Sequence, residues 1–158
     1  MKELLLRTFR PGDEPAFRQL NEDWIRKYFA LEPADRKVLG DPRAHILDAG
    51  GQICIAELGG TIIGCCALLA IAPGELELAK MTVAESARGR GVGRRLLEFA
   101  IDEARRMGAS RLCLESSRRV ASAVHLYEEL GFRHLPAPRH ASQYARADVF
   151  MELPLDAD

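Results

Sequence analysis

Apolar positions recur along this chain with two periods, and the switches between them outline the elements. Leu4, Leu5 and Leu6, followed by Arg7 and Thr8 in the segment that starts at Met1, suggest a first strand. Asp13 can cap a helix with Pro15 in its opening turn, where a missing N–H costs little. Phe17, Leu20, Trp24, Ile25 and Tyr28 then fall on one helical face. Asp41-Pro42 marks the start of a short helix running toward Ala49, and Gly50-Gly51 stops it. Gln52 to Leu58 and Thr61 to Ile71 read as strands joined by a two-residue hairpin at Gly59-Gly60. After a turn at Pro73-Gly74, the segment Glu75 to Val83 alternates charged and apolar residues as a strand does.

The second half returns to the helical period. Leu96, Leu97, Ala100, Ile101, Ala104 and Met107 recur at helical spacing until Gly108 closes the helix. Arg111 to Ser116 is a strand, and Ala121 to Leu130 is a helix ended by Gly131. Phe132 to Leu135 and Ala147 to Leu153 are the last two strands, with a polar, proline-bearing loop from Pro136 to Tyr144 between them. Adjacent strands mixed with a crossover helix predict an α/β (mixed α+β) fold, a mixed sheet with helices on both faces. With no internal repeat, low-complexity tract or linker, residues 1–158 read as one domain.

Composition narrows the function. A domain of 158 residues buries about two thirds of its unfolded surface and needs no disulfide or metal staple. The net charge of -1 argues against a polyanion binder, so attraction to phosphate must come from a local cluster. The longest apolar run, Thr61 to Pro73, is shorter than the roughly 20 residues a membrane span requires. The N-terminus lacks the long apolar core of a signal peptide, so a cytoplasmic protein is expected. Cys54, Cys65, Cys66 and Cys113 include no CxxC pair and sit in apolar runs, which predicts reduced core residues and no metal site.

The most informative stretch is Arg88-Gly89-Arg90-Gly91-Val92-Gly93-Arg94-Arg95, between a strand and a long helix. Its glycines let the backbone turn sharply and approach a ligand, and the first amides of the following helix form an anion site. It is neither a Walker A loop, having no Gly-Lys-Ser/Thr, nor a dinucleotide fingerprint, since the third glycine would fall at Arg94 or Leu96. A solvated basic turn and a nucleic-acid arm are the competing readings, and the second suits a chain that is not otherwise basic poorly.

Arg88-x-x-Gly91-x-Gly93 resembles the Gln/Arg-x-x-Gly-x-Gly/Ala acetyl-CoA signature of the GNAT superfamily. The preceding Glu77 to Val83 resembles its fourth strand, and Ala123-Val124-His125-Leu126-Tyr127-Glu128-Glu129-Leu130-Gly131-Phe132 resembles its second hallmark, a helix and strand with Leu-Tyr-Glu-x-x-Gly-Phe. The resemblance implies a twisted mixed sheet of six to seven strands, split near the fourth and fifth, with about four helices. It implies acetyl-CoA as cosubstrate and transfer of the acetyl group to an amine by direct attack, without a metal.

Residue by residue, the resemblance implies that amides of Arg88, Gly89, Arg90, Gly91, Val92, Gly93 and Arg94 hold the CoA pyrophosphate. The main chain of Met81, Thr82 and Val83 would pair with the pantetheine arm like an added strand. Tyr127 matches the position that donates a proton to the departing thiolate, and Glu77 the carboxylate that serves as general base in some members. Core packing is the other reading of Tyr127, a structural strand residue that of Glu77, and Glu75, on the same face, is the fallback base. Strand alternation is expected to place Ala79 and Met81 on that face too. Val120 stands where many relatives carry an asparagine, so Ser116, Ser117 or Ser122 is expected to supply that contact to the CoA arm.

His125 is expected at the surface. His134, His140, Tyr144 and Arg146 are candidates for the acceptor pocket, Arg146 as a two-pronged clamp on a carboxylate. Trp24, Tyr28 and Phe29 can form an acceptor wall, or, for the first two, core packing. The acceptor can be a small amine or an amine of a peptide or protein, with no nucleic acid or membrane partner. A homodimer fits the habit of such domains. The rivals are a non-catalytic acyl-CoA-binding sensor or interaction module of the same fold, and a nucleotide or nucleic-acid binder using the arginine turn.

Overall fold

The structure, a computed structural model, describes residues 3–155; Met1 and Lys2, which the sequence pattern joins to the first strand, lie outside them. The described chain runs β1 (Leu4–Thr8), α1 (Glu14–Tyr28), α2 (Pro33–Gly40), β2 (Gln52–Leu58), β3 (Thr61–Ala72), β4 (Glu75–Val83), α3 (Val92–Arg106), β5 (Arg111–Ser116), α4 (Ala121–Glu129), β6 (Arg133–Leu135) and β7 (Val149–Pro154). Seven strands form one sheet in the order β1-β2-β3-β4-β5-β7-β6. Neighbours are antiparallel except β4 and β5, which the crossover helix α3 makes parallel.

Helices cover both faces, so the central strands are apolar on both sides. Along β3, Cys65 and Ala67 face Phe17, Ile25 and Leu39 of α1 and α2, while Cys66 and Leu68 face Leu96, Leu97 and Ala100 of α3. Each fully buried Leu, Ile or Phe contributes about 1.5–3 kcal/mol. All four cysteines are free and buried, as expected.

Three local readings need correction. Asp13 stands at the N-cap of α1 but does not cap it. Its carboxylate turns back to accept from the Arg10 N–H at 2.7 Å and from Arg7 at 2.8 and 3.1 Å, binding β1 to α1 instead. The helix α2 is absent from the elements expected above. Pro33 opens it, and Glu32 and Asp35 cap each other's backbone N–H reciprocally. The helix expected from Asp41 toward Ala49 is a single π-helical turn, Arg43–Leu47. The chain leaves that turn at Gly51, where a Cβ would stand 2.2 Å from the Leu68 carbonyl oxygen, so only glycine fits.

Two irregularities interrupt the middle of the sheet. β4 and β5 pair from Glu75↔Arg111 to Leu78↔Leu114 and then part. In the same stretch, Cys65 pairs with Thr82 and Ala67 with Ala79, so Lys80 and Met81 together oppose the single Cys66. This is a β-bulge, with Lys80 in the left-handed region at φ 53°. It reverses the parity of β4. Leu76 and Leu78 lie in the core under α3 and α4, and beyond the bulge Met81 and Val83 pack against that core. The expectation that Met81 shares the face of Glu77 therefore fails, because the alternation holds only on an unbroken pleat.

Candidate active site

The parting of β4 and β5 opens a cavity of about 440 Å³. From Ala79 to Val83, β4 pairs with β3 on one side only, and its other edge lines the cavity with backbone groups that β5 no longer reaches. Such an edge accepts an extended amide chain as a further strand. Met81, Thr82 and Val83, expected to do this, all line the cavity.

The glycine turn stands at one end of it. Gly91 is the N-cap of α3 at φ 75°, and no side chain caps the helix. The first amides of α3 are thus unpartnered and carry the positive end of the helix dipole, an arrangement that binds anions. Gly89, Gly91, Val92 and Gly93 line the cavity. Gly93 has a different task from the other two glycines. Its backbone is ordinary helix, and an added Cβ would stand 3.9 Å from Leu126 and Val83, narrowing the cavity rather than straining the turn. Arg88 lines the cavity and fixes the turn in place, donating to the Val83 carbonyl at 3.3 Å and to the Tyr28 hydroxyl at 3.2 Å. The side chains of Arg90 and Arg94 are exposed and outside the lining, and Arg94 lies 3.8 Å from Glu129. Their side-chain contribution there is a positive field.

The start of α4 forms the opposite wall. Val120, Ser122, Ala123 and Leu126 line it, as do Ser116 and Ser117 at the end of β5. The buried Ser117 hydroxyl already accepts from the Arg119 N–H at 3.2 Å. The side chains of Ser116 and Ser122 make no hydrogen bond among the described residues, which leaves both hydroxyls open to a ligand. Tyr127, one turn further, lines the cavity edge-on to Phe132, ring centroids 5.8 Å apart. Burial pushes its phenol above the ordinary value, so it stays protonated at every working pH.

Glu77 also lines the cavity. Burial, reinforced by the neighbouring charge of Glu115 and opposed by Lys80, pushes its carboxyl up to about 7. Glu75 does not reach the cavity. It accepts from Arg111 at 2.8 Å and lies 3.7 Å from His140. Glu77 also lines a second, smaller cavity of about 50 Å³, with His140, Arg139, Cys113 and Glu115. His134 is on the surface, 2.8 Å from Glu128, and His125 is exposed beside Glu128 and Glu129.

Trp24, Tyr28 and Phe29 all line the main cavity, with Trp24 5.4 Å from Tyr28 and 5.9 Å from Phe29 between ring centroids. Tyr144 and Arg146 close it from the loop before β7. Arg146 does not present a free fork. It donates to both oxygens of Asp35 at 2.8 Å and to Glu32 at 3.2 Å. Lys80 donates to the same Asp35 at 2.7 Å and to the Tyr144 hydroxyl at 2.8 Å. Burial alone would raise the Asp35 carboxyl, but these donors outweigh it and hold it down at about 2.

Residues 3–132 match the model of the Acetyltransferase (GNAT) family. The chain belongs to the GNAT acetyltransferase family. It is 36% identical over 120 residues to the IAA acetyltransferase of Azospirillum brasilense, covering 75% of this chain and 78% of that protein. A GNAT-family acetyltransferase structure from Staphylococcus aureus Mu50 superposes with a TM-score of 0.87 at 18% identity, over 98% of this chain and all of that one. The Salmonella typhimurium protein yncA, solved with its cofactor acetyl-CoA, superposes with a TM-score of 0.76 at 22% identity, over 98% of this chain and 95% of its own.

Within this GNAT fold, the motifs seen in the sequence lie on the walls of one cleft. Three participants escape a reading of the sequence: Glu115, Lys80 and Asp35. Asp35 left a signal, the Glu32-Pro33-Ala34-Asp35 capping box, which announces a helix start. Lys80 and Glu115 left none, because a bulge and a strand register are set by partners distant in sequence.

Proposed function

We propose that this protein moves an acetyl group from acetyl-CoA to a primary amine by direct attack. The observation that carries the reading is the cleft itself: an uncapped helix N-terminus at one end, a free strand edge along it, and Glu77 and Tyr127 on its walls. These residues fit the cosubstrate, which supplies an activated acetyl thioester. Gly89, Gly91 and the first amides of α3 hold the pyrophosphate. The free edge from Met81 to Val83 takes the pantetheine amides, with Ser122 opposite.

Glu77 receives a proton from the acceptor ammonium, through one water, and passes it to solvent. A carboxyl poised near neutrality suits that task. The backbone at Val83 polarises the carbonyl. Tyr127 donates a hydrogen bond and then its proton to the departing sulfur, and regains a proton as the amine nitrogen sheds its second. The products are an amide, a CoA thiol and one proton. Positioning in the cleft supplies much of the acceleration.

The test is an amine screen with acetyl-CoA that follows thiol release and weighs the product. One N-acetyl group per thiol released is the expected result. Acetyl-CoA binding with no thiol release from any amine would make the protein a binding module instead.

A further inference from the structure

The cavity has an unusual distribution of charge. Three cations line it: Lys80, Arg88 and Arg146. Lys80 and Arg146 are committed to Asp35, and Arg88 to Tyr28 and Val83 in the glycine turn. The carboxylates lining it are Glu77 and Glu115, and neither has a hydrogen-bond or ion-pair partner among the described residues. Oε1 of Glu115 is fully buried and unpartnered. A buried carboxylate oxygen without a donor is costly, and such atoms are few in folded proteins and call for a catalytic role, a water or an ion to explain them.

The strand geometry brings the two acids together. Glu77 pairs with Cys113 in the parallel β4–β5 ladder, and Glu115 lies two residues beyond Cys113 on the same face. Glu115 is thus just past the last rung, Leu78↔Leu114, where the strands have begun to part. Both acids line the main and the smaller cavity, so they stand at the junction of the two. The aromatic wall of Trp24, Tyr28 and Phe29 offers apolar surface in the same main cavity.

We propose that Glu115 is a second acceptor-binding carboxylate, which with Glu77 receives the substrate's ammonium group, and that the acceptor is a cationic amine on an apolar body with no carboxylate beside its nitrogen. This rests on the acyl-transfer reading of the cleft. The first half follows from the unpartnered acids. The second follows from the paired cations: a substrate carboxylate near the amine would meet Glu77 and Glu115 and find Lys80 and Arg146 already paired with Asp35 and Glu32. Like-charge juxtaposition of that kind rejects a ligand as effectively as a good contact selects one.

Two measurements test it. The first uses the wild-type protein with acetyl-CoA and matched amines that differ only by a carboxylate on the carbon bearing the nitrogen: phenethylamine against phenylalanine, and tyramine against tyrosine. The carboxylate-free member of each pair is expected to have a kcat/KM higher by about tenfold or more. The second compares wild type with Glu115→Gln, by thiol release and by calorimetric titration of the amine into the CoA-loaded protein. The variant should bind the amine about ten- to a hundredfold more weakly, as expected for loss of a hydrogen bond to a charged group. Its acetyl-CoA affinity should stay within about twofold, and its melting temperature should not fall, since a like charge has been removed from beside Glu77. Amino acids used as well as their amines, or amine affinity unchanged in a folded Glu115→Gln, would overturn the inference while leaving acetyl transfer intact. Amine binding that depends on Glu115 without any thiol release would support the inference and overturn the acetyl-transfer reading.

Discussion

Lys80 donates to Asp35 across 2.7 Å, with 4% of one side chain and none of the other exposed to solvent. The pair joins β4 at its bulge to the start of α2, and Arg146 adds the loop before β7 to the same carboxylate. The roof of the cleft is thus held by one buried acid with two cations on it. Breaking a buried pair strands the surviving charges, which costs more than the pair contributes net.

Asp35→Asn should therefore destabilise the protein by about 3–5 kcal/mol. In wild type, a carboxyl held down at about 2 contributes stability that is present above the ordinary carboxylate range and lost as pH falls through about 2. Thermal melts of both proteins between pH 7 and pH 2 check this. The gap should be full at neutrality and narrow as the medium becomes acid. A constant gap would mean that the loss comes from packing alone.

Glu77 has the opposite sign. Its carboxyl, pushed up to about 7, keeps its proton in the folded state where the unfolded chain has lost it. Wild-type stability should fall as pH rises from about 4 through about 7, and Glu77→Gln should melt higher than wild type at pH 8, by up to about 3 kcal/mol. Activity should move the other way. The wild-type kcat/KM should climb through about pH 7 as Glu77 ionises. Glu77→Gln should lose that limb and recover in part at high pH, where the amine is already neutral. Parallel pH profiles for the two proteins would assign Glu77 to substrate holding.

Tyr127→Phe removes one hydroxyl and little volume from a buried, edge-on ring pair. A general acid contributes about 10²–10⁴-fold, so kcat should fall by that order under conditions where chemistry limits the rate. Acetyl-CoA affinity should stay within a few-fold. A kcat equal to wild type would leave Tyr127 with packing as its role.

Gly91 takes φ 75°, and nothing lies within 4 Å of where a Cβ would stand, so its requirement is conformational and not one of space. Gly91→Val should cost roughly 1–2 kcal/mol or more from the left-handed backbone, and, with the first α3 amides in the proposed role of pyrophosphate donors, should weaken CoA binding. Calorimetry with CoA, on protein shown by circular dichroism to be folded, measures the second effect. Equal affinity in variant and wild type would remove the turn from the binding site.

Much of this architecture is local and so is legible in the sequence. Helical spacing from Leu96 to Met107, strand alternation from Glu75, the paired glycines of the hairpin and the glycine turn before α3 each follow from a few neighbouring residues. So do the two motifs that resemble the GNAT family, and with them the candidate cofactor turn and Tyr127. The tertiary structure decided what depends on partners far along the chain. Strand parity is fixed by residue count only while the pleat is unbroken. The bulge at Lys80 exists because β3 offers one residue, Cys66, against two of β4, and it alone separates the face of Met81 from that of Glu77. The meeting of Glu77 with Glu115 depends on the parallel register that α3 sets between strands more than thirty residues apart, a pairing that no window of sequence contains. Asp35, Lys80 and Arg146 come from three separate segments, and an arginine free to clamp a substrate looks the same in sequence as one already spent on a buried aspartate. Charge pairing in a closed interior is a property of the assembled fold, because each group's partner is chosen by packing and not by its neighbours along the chain.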